Sequence, residues 1–140
     1  MGDLLIQYLQ KSQLINQSTN KLINYLIVPI PLHSKRRRER GFNQAELLAK
    51  TISENLGLLP TNALERTKNT KAQAKLKKSE CREENVAGCF KIKNPESVRD
   101  KNIILVDDVF TSGATMNEAV KILKENGAKR IIALVAAKAW

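Results

Sequence analysis

The chain has 140 residues, 42% of them hydrophobic, which suffices for one compact domain with a core and hardly for two. Its formal net charge is +10, and no apolar run approaches the roughly 20 residues that a membrane-spanning helix needs. Asp3 stands where a secretory leader would carry bases, so a cytoplasmic location is expected.

Residues 1–24 hold one short amphipathic helix (Leu4, Leu5, Tyr8, Leu9) and a polar bridge, NQSTN, and form an extension ahead of a core spanning 25–140. YLIVPIP, residues 25–31, is a short apolar run closed by Pro29 and Pro31, a buried strand leaving its sheet at the carboxyl end. From about Phe42 to Leu56, the residues Ala45, Leu48, Ala49, Ile52 and Leu56 recur at helical spacing, and Gly57 supplies the stop. ALERT, 63–67, reads as a strand, whereas the lysine-rich stretch to Lys78 has no apolar periodicity and reads as a loop. A short helix from Ser79, with Arg82 and Asn85 near its end, leads to GCFKI, a short strand. After the Asn94-Pro95 turn, residues 102–107 carry the strongest strand signal in the chain. Thr115 and Glu118 have capping-box spacing for a helix ending near Gly127, and RIIALVAA from Arg130 is a last buried strand. Strands alternating with helices predict one α/β domain built on a mainly parallel open sheet flanked by helices.

The charge excess is local. KRRRER, 35–40, contributes five bases and one acid, RTKNTKAQAKLKK, 66–78, contributes six bases and no acid, and the remainder of the chain is neutral. Such confinement fits a polyanion held between the two segments if the fold brings them together; a pair of solvated basic loops accounts for the charge equally well. Cys81 and Cys89, with seven residues between them and no further cysteine or histidine nearby, fit neither a zinc site nor a disulfide framework and read as reduced thiols. His33, the single histidine, opens a proline-framed loop and reads as a structural hydrogen-bonder rather than a catalyst.

The stretch ILVDDVFTSGAT ties these observations to a chemistry. Ligands of open α/β sheets bind beyond the carboxyl ends of the strands, where Asp107 and Asp108 fall. Carboxylates there can accept hydrogen bonds from vicinal sugar hydroxyls. The TSGAT that follows offers consecutive backbone N–H groups, a glycine that lets the chain curl, and the start of a helix whose dipole favours an anion. A sugar clamp beside a phosphate nest is the combined expectation.

ILVDDVFTSGAT resembles the phosphoribosyl pyrophosphate fingerprint of type I phosphoribosyltransferases, and VPIPLHSKRRRERGFNQAELLAK is similar to the signature of their ComF branch, linked to bacterial DNA uptake. Gln73 and REENV, 82–86, match the middle loop of that branch. The resemblance implies the type I phosphoribosyltransferase fold and transfer of phosphoribosyl to a nitrogenous acceptor with release of pyrophosphate. By it, Asp107 and Asp108 are the catalytic pair and hold the ribose 2′ and 3′ hydroxyls, and Thr111, Ser112, Gly113, Ala114 and Thr115 cradle the 5′-phosphate. Lys35, Arg36 and Arg38 match the basic positions of the pyrophosphate loop, and Arg66, Lys68, Lys71 and Gln73 belong to a flexible flap. Mg2+ would arrive on the substrate rather than on protein thiolates, since the paired cysteines of the branch's usual zinc ribbon have no counterpart here. The implied partners are phosphoribosyl pyrophosphate and, in a non-catalytic alternative, single-stranded DNA and a helicase-like uptake ATPase.

Overall fold

The computed structural model describes residues 25–69, 86–110 and 112–138, the side chain of Lys138 excepted. In chain order the elements are β1 (Tyr25–Pro29), α1 (Ser34–Arg40), α2 (Gln44–Leu56), β2 (Leu64–Arg66), β3 (Phe90–Ile92), a single 3-10 turn (Pro95–Ser97), β4 (Asn102–Phe110), α3 (Ala114–Glu125) and β5 (Ile131–Lys138). Strands β1, β4 and β5 form a parallel sheet in the order β1-β4-β5, while β2 and β3 make a separate antiparallel ribbon. The expected N-terminal helix, the start of the short helix from Ser79 with its Arg82 and Asn85, and Lys71, Gln73, Cys81 and Thr111 lie outside the described residues.

β4 is the centre of the sheet, and side-chain alternation along it builds two cores. Ile104 and Val106 point to one face, where Ile27 of β1 and Leu134 of β5 meet Leu48, Ala49 and Ile52 of α2. Ile103 and Leu105 point to the other face, against Leu64 and Phe90 of the ribbon and Met116, Ala119 and Leu123 of α3. All four of these β4 side chains are fully buried. A continuous apolar run is what a strand covered on both faces requires.

Four sequence expectations are corrected. β1 stops at Pro29 rather than residue 31, although Ile30 still donates its N–H to the Val106 carbonyl at 2.8 Å. β4 runs on to Phe110, because β5 keeps pairing with it through Phe110↔Lys138 after β1 has ended. The 33–40 segment is helical: His33 caps it, Nδ1 accepting from the Lys35 N–H at 3.2 Å, and Gly41, at φ 79°, closes it by donating to the Arg37 carbonyl. No residue of α1 is buried, so its sequence has no apolar period to read.

The capping box at Thr115 and Glu118 does not form. Gly113, at φ 83°, is the N-cap of α3, which puts Thr115 inside the first turn, and the Glu118 carboxylate instead accepts the Gly88 N–H at 2.9 Å. The real side-chain cap sits ahead of α2. Buried Asn43 accepts the Ala45 N–H at 3.1 Å and donates Nδ2–H to the Ile30 carbonyl at 3.0 Å, fastening the helix start to the chain leaving β1.

Candidate functional site

β1 and β4 part company at Val106, and the gap between them is an open cleft of about 270 Å³. It is lined by Asp107 and Asp108 of β4, by Phe110, Gly113 and Thr115 from the turn into α3, and by Arg36, Arg40 and Asn43. The two acids thus line a surface cleft rather than the interior. The glycine-hinged start of α3 stands beside them. Phe110 folds over Gly113 so closely that a Cβ there would lie 2.8 Å from Phe110 Cζ, which together with the positive φ reserves the position for glycine. Ser112 Oγ accepts the Ala114 N–H at 3.4 Å, and the first-turn amides of α3 supply the donors that an anion needs at a helix N-terminus. Ala114 itself is buried and can contribute only its backbone.

Helical spacing sorts the bases of KRRRER. Arg36 and Arg40, one turn apart, line this cleft. Arg37 turns to the other side and pairs with Glu46 of α2 at 2.5 Å. Lys35 and Arg38 are exposed and line neither this cleft nor its neighbour. Of the three bases expected to meet a pyrophosphate, the structure brings Arg36 alone to the acids and adds Arg40, which the motif did not single out. Arg40 becomes legible once the segment is known to be helical.

Arg66 and Lys68, expected in a flap, belong to the foot of the ribbon. Arg66 is the last residue of β2, paired in register with Phe90, and its guanidinium lies 5.4 Å from the centroid of the Phe90 ring. Lys68 donates to the Ala87 carbonyl at 3.1 Å, and the Thr67 N–H donates to the Cys89 carbonyl at 2.8 Å, extending the ribbon toward residue 69. A second cleft of about 340 Å³, lined by His33, Arg37, Glu65 and Lys93 among others, lies beyond Pro31, Leu32 and Arg66, which wall both clefts.

The electrostatics follow from burial. Asp107 is pushed up to about 7, first by desolvation and then by its hydrogen-bonded neighbour Asp108, while the Asp108 N–H, donating to Asp107 Oδ1 at 2.8 Å, and Arg66 pull it back. Burial lowers the Arg66 guanidinium and raises the Cys89 thiol beside it, so Cys89 is a buried free thiol. No cluster of three or more His, Cys, Asp or Glu side chains that could hold a metal exists among the described residues.

A parallel sheet with paired acids at the end of its central strand, a glycine-hinged helix start beside them and arginines opposite is the arrangement of a type I phosphoribosyltransferase fold. Solved structures bear out the fold: a glutamine phosphoribosylpyrophosphate amidotransferase from B. subtilis superposes with a TM-score of 0.59 at 18% identity, covering 96% of this chain and 25% of that one. A purine phosphoribosyltransferase from Pyrococcus horikoshii Ot3 gives 0.54 at 19% identity, covering 98% and 72%. The phosphoribosyl transferase domain family matches residues 20–139, and the chain belongs to it, in the ComF branch. It is 40% identical over 106 residues to competence protein ComFC of Bacillus subtilis, covering 74% of this chain and 40% of that protein. It is 32% identical over 124 residues to the DNA utilization protein YhgH of Salmonella typhimurium (88% and 53%), and 37% identical over 109 residues to competence protein F of Haemophilus influenzae (75% and 46%). The chain spans about half the length of these relatives. Among the described residues no helix is long and apolar enough to cross a membrane.

Proposed function

We propose that the chain is a phosphoribosyltransferase that binds phosphoribosyl pyrophosphate and transfers its sugar to a nitrogenous acceptor in the cytoplasm. The observation that carries this reading is the shared cleft, lined at once by Asp107 and Asp108, by the α3 start and by Arg36 with Arg40. In this reading the two carboxylates accept the ribose hydroxyls, and the amides around Gly113 and Thr115 hold the 5′-phosphate. Arg36 and Arg40 take the pyrophosphate, whose charge grows as the C1–O bond breaks and the acceptor nitrogen bonds to C1. Magnesium fits as a passenger on the pyrophosphate oxygens: hard cations are often bound chiefly through substrate phosphates, and such a site needs no three-ligand protein cluster. There it would neutralise leaving-group charge. Calorimetry with phosphoribosyl pyrophosphate and Mg2+ tests the reading directly. Saturable binding that disappears in Asp107→Asn with Asp108→Asn is expected, followed by acceptor-dependent pyrophosphate release; an undiminished heat in the double variant sinks it.

A second reading is supported by the outward bases and by the names of the relatives. Lys35 and Arg38 are exposed and line neither cleft, which leaves them open to the phosphates of a nucleic acid strand, and three relatives are named for competence or DNA utilization. A non-catalytic DNA-uptake accessory would bind single-stranded DNA and a helicase-like partner through them. A fluorescent oligonucleotide titrated against salt distinguishes the two, since backbone contacts give a steep salt dependence that phosphoribosyl pyrophosphate leaves unchanged only if the sites are separate.

A further inference from the structure

The caps of α1 leave one property of this helix unexplained. It has seven residues, none of them buried, and helices that short do not hold in water on their own. His33 and Gly41 fix where it starts and stops, but not which way its sides face. That rotation matters, because successive residues of a helix point about 100° apart. Arg36 and Arg40 line the first cleft, Arg37 lines the second, and exposed Lys35 and Arg38 line neither. A contact that fixes the rotation lies in the second cleft, which both of its partners line: Arg37 Nη1 is 2.5 Å from Glu46 Oε1. Glu46 sits in the first turn of α2, where a carboxylate also suits the helix dipole. That helix is seated in the core through Leu48, Ala49 and Ile52, and its cap Asn43 is bonded to the Ile30 carbonyl at 3.0 Å. Glu46 is accordingly the firmer partner, its side chain 23% exposed against 54% for Arg37. Arg36 has an interaction of its own, so the ion pair is not the sole hold on α1; it is a hold whose far end stands on a fixed helix.

We infer that Glu46 is a positioning residue for the cleft arginines: through Arg37 it sets the rotation of α1, and so selects Arg36 and Arg40, rather than Lys35 and Arg38, for the cleft that holds Asp107 and Asp108. The inference rests on the proposed function for its consequence in ligand binding, and on the Arg37–Glu46 contact alone for its first test. A partly exposed pair is a modest tether, worth about two- to fivefold in an equilibrium. Charge and geometry nevertheless call for opposite signs. A polyanion is repelled by every nearby acid, so Glu46→Gln strengthens its binding if charge alone counts. If Glu46 orients α1, the same substitution weakens binding.

The first measurement is made on the free protein, where NMR follows exchange of the Arg37 and Gly41 amide hydrogens, which donate to the His33 and Arg37 carbonyls. Exchange is expected to quicken about threefold in Glu46→Gln and to keep the wild-type rate in Glu39→Gln, which removes an equal charge from an exposed position of the same helix. Calorimetry with phosphoribosyl pyrophosphate and Mg2+ follows. Glu46→Gln is expected to weaken binding about threefold, and Glu39→Gln not to weaken it. Because the pair acts as a unit, Arg37→Met combined with Glu46→Gln binds no more weakly than Arg37→Met alone. Selection is read from alanine variants: Arg40→Ala weakens binding about tenfold and Arg38→Ala less than twofold, and that contrast narrows by about two- to threefold in the Glu46→Gln background. A helix merely loosened, with no change in which bases face the cleft, would lose affinity and keep the contrast. Unchanged exchange in Glu46→Gln, binding at least as tight as wild type, or an undiminished contrast overturns the inference. Quickened exchange in a chain whose wild type binds no phosphoribosyl pyrophosphate leaves Glu46 its hold on α1 and removes the proposed function instead.

Discussion

The two halves of β4 share a strand and little else. From Ile103 to Val106 it is paired on both edges, by β1 and β5, and covered on both faces. From Asp107 to Phe110 it is paired by β5 alone, and its side chains are half-buried or exposed, Val109 at 42%. The difference arises because β1 is four residues shorter than β4 and ends at a proline. A strand that outlasts its neighbour keeps a fixed backbone while opening one edge to solvent, so a site can be rigid without being part of the core. Stability belongs to the inner half, and the proposed site to the outer half.

That division can be broken most forcefully in the inner half. Leu105→Ala should cost about 3 to 4 kcal/mol in urea melts, as fully buried leucines do, whereas Val109→Ala should change stability by less than about 0.5 kcal/mol. Comparable losses at the two positions would erase the distinction. The next effect has the opposite sign. With Asp107 pushed up to about 7 by burial from an ordinary value of 3.8, its contribution costs the native state stability as pH rises from about 4 through 7. Asp107→Asn lacks that loss and should gain roughly 2 to 3 kcal/mol over wild type between pH 5 and pH 8, measured by urea melts at both. A variant equally stable at the two pH values relative to wild type would place the acid outside the strain of the cleft.

Gly113→Ala should cost about 1 to 2 kcal/mol, since the new Cβ meets Phe110 in a backbone conformation that side chains avoid, and it should remove phosphate binding along with stability. The smallest effect sharpens the division within α1. Arg36→Ala should weaken phosphoribosyl pyrophosphate about tenfold, and Arg38→Ala less than twofold, by calorimetry at fixed salt. Equal losses would mean that general charge, not the facing arginine, attracts the ligand.

Much of this architecture was legible because burial on two faces leaves a signature. The apolar runs of β1, β4 and β5 and the three- and four-residue spacing of α2 each record a packed surface. The acids and the TSGAT turn were legible because their order along the chain is also their order across the cleft, although Thr111 lies outside the described residues. What escaped notice has no apolar record. α1 buries no side chain, so only His33 and Gly41, its caps, mark it, and a match of Lys35, Arg36 and Arg38 to a family's basic positions carries no information on which helix face each occupies. Arg66 was grouped with the lysines that follow it in sequence, while a cross-strand neighbour, Phe90, places it in the ladder; no local pattern encodes a partner that far along the chain. Asn43 followed three residues later by Glu46 has the spacing of a capping signal, and it sets the start of α2 past Phe42, which is half exposed.

Cys89, sealed beneath the ribbon, makes that ribbon measurable. A thiol with no solvent access reacts with an alkylating reagent only during excursions that part β2 from β3, so in a Cys81→Ser background its modification rate becomes a clock for how often this wall of the cleft breathes. Slowing of that clock by a bound sugar phosphate would report closure energetics from a single atom, without any need to see turnover.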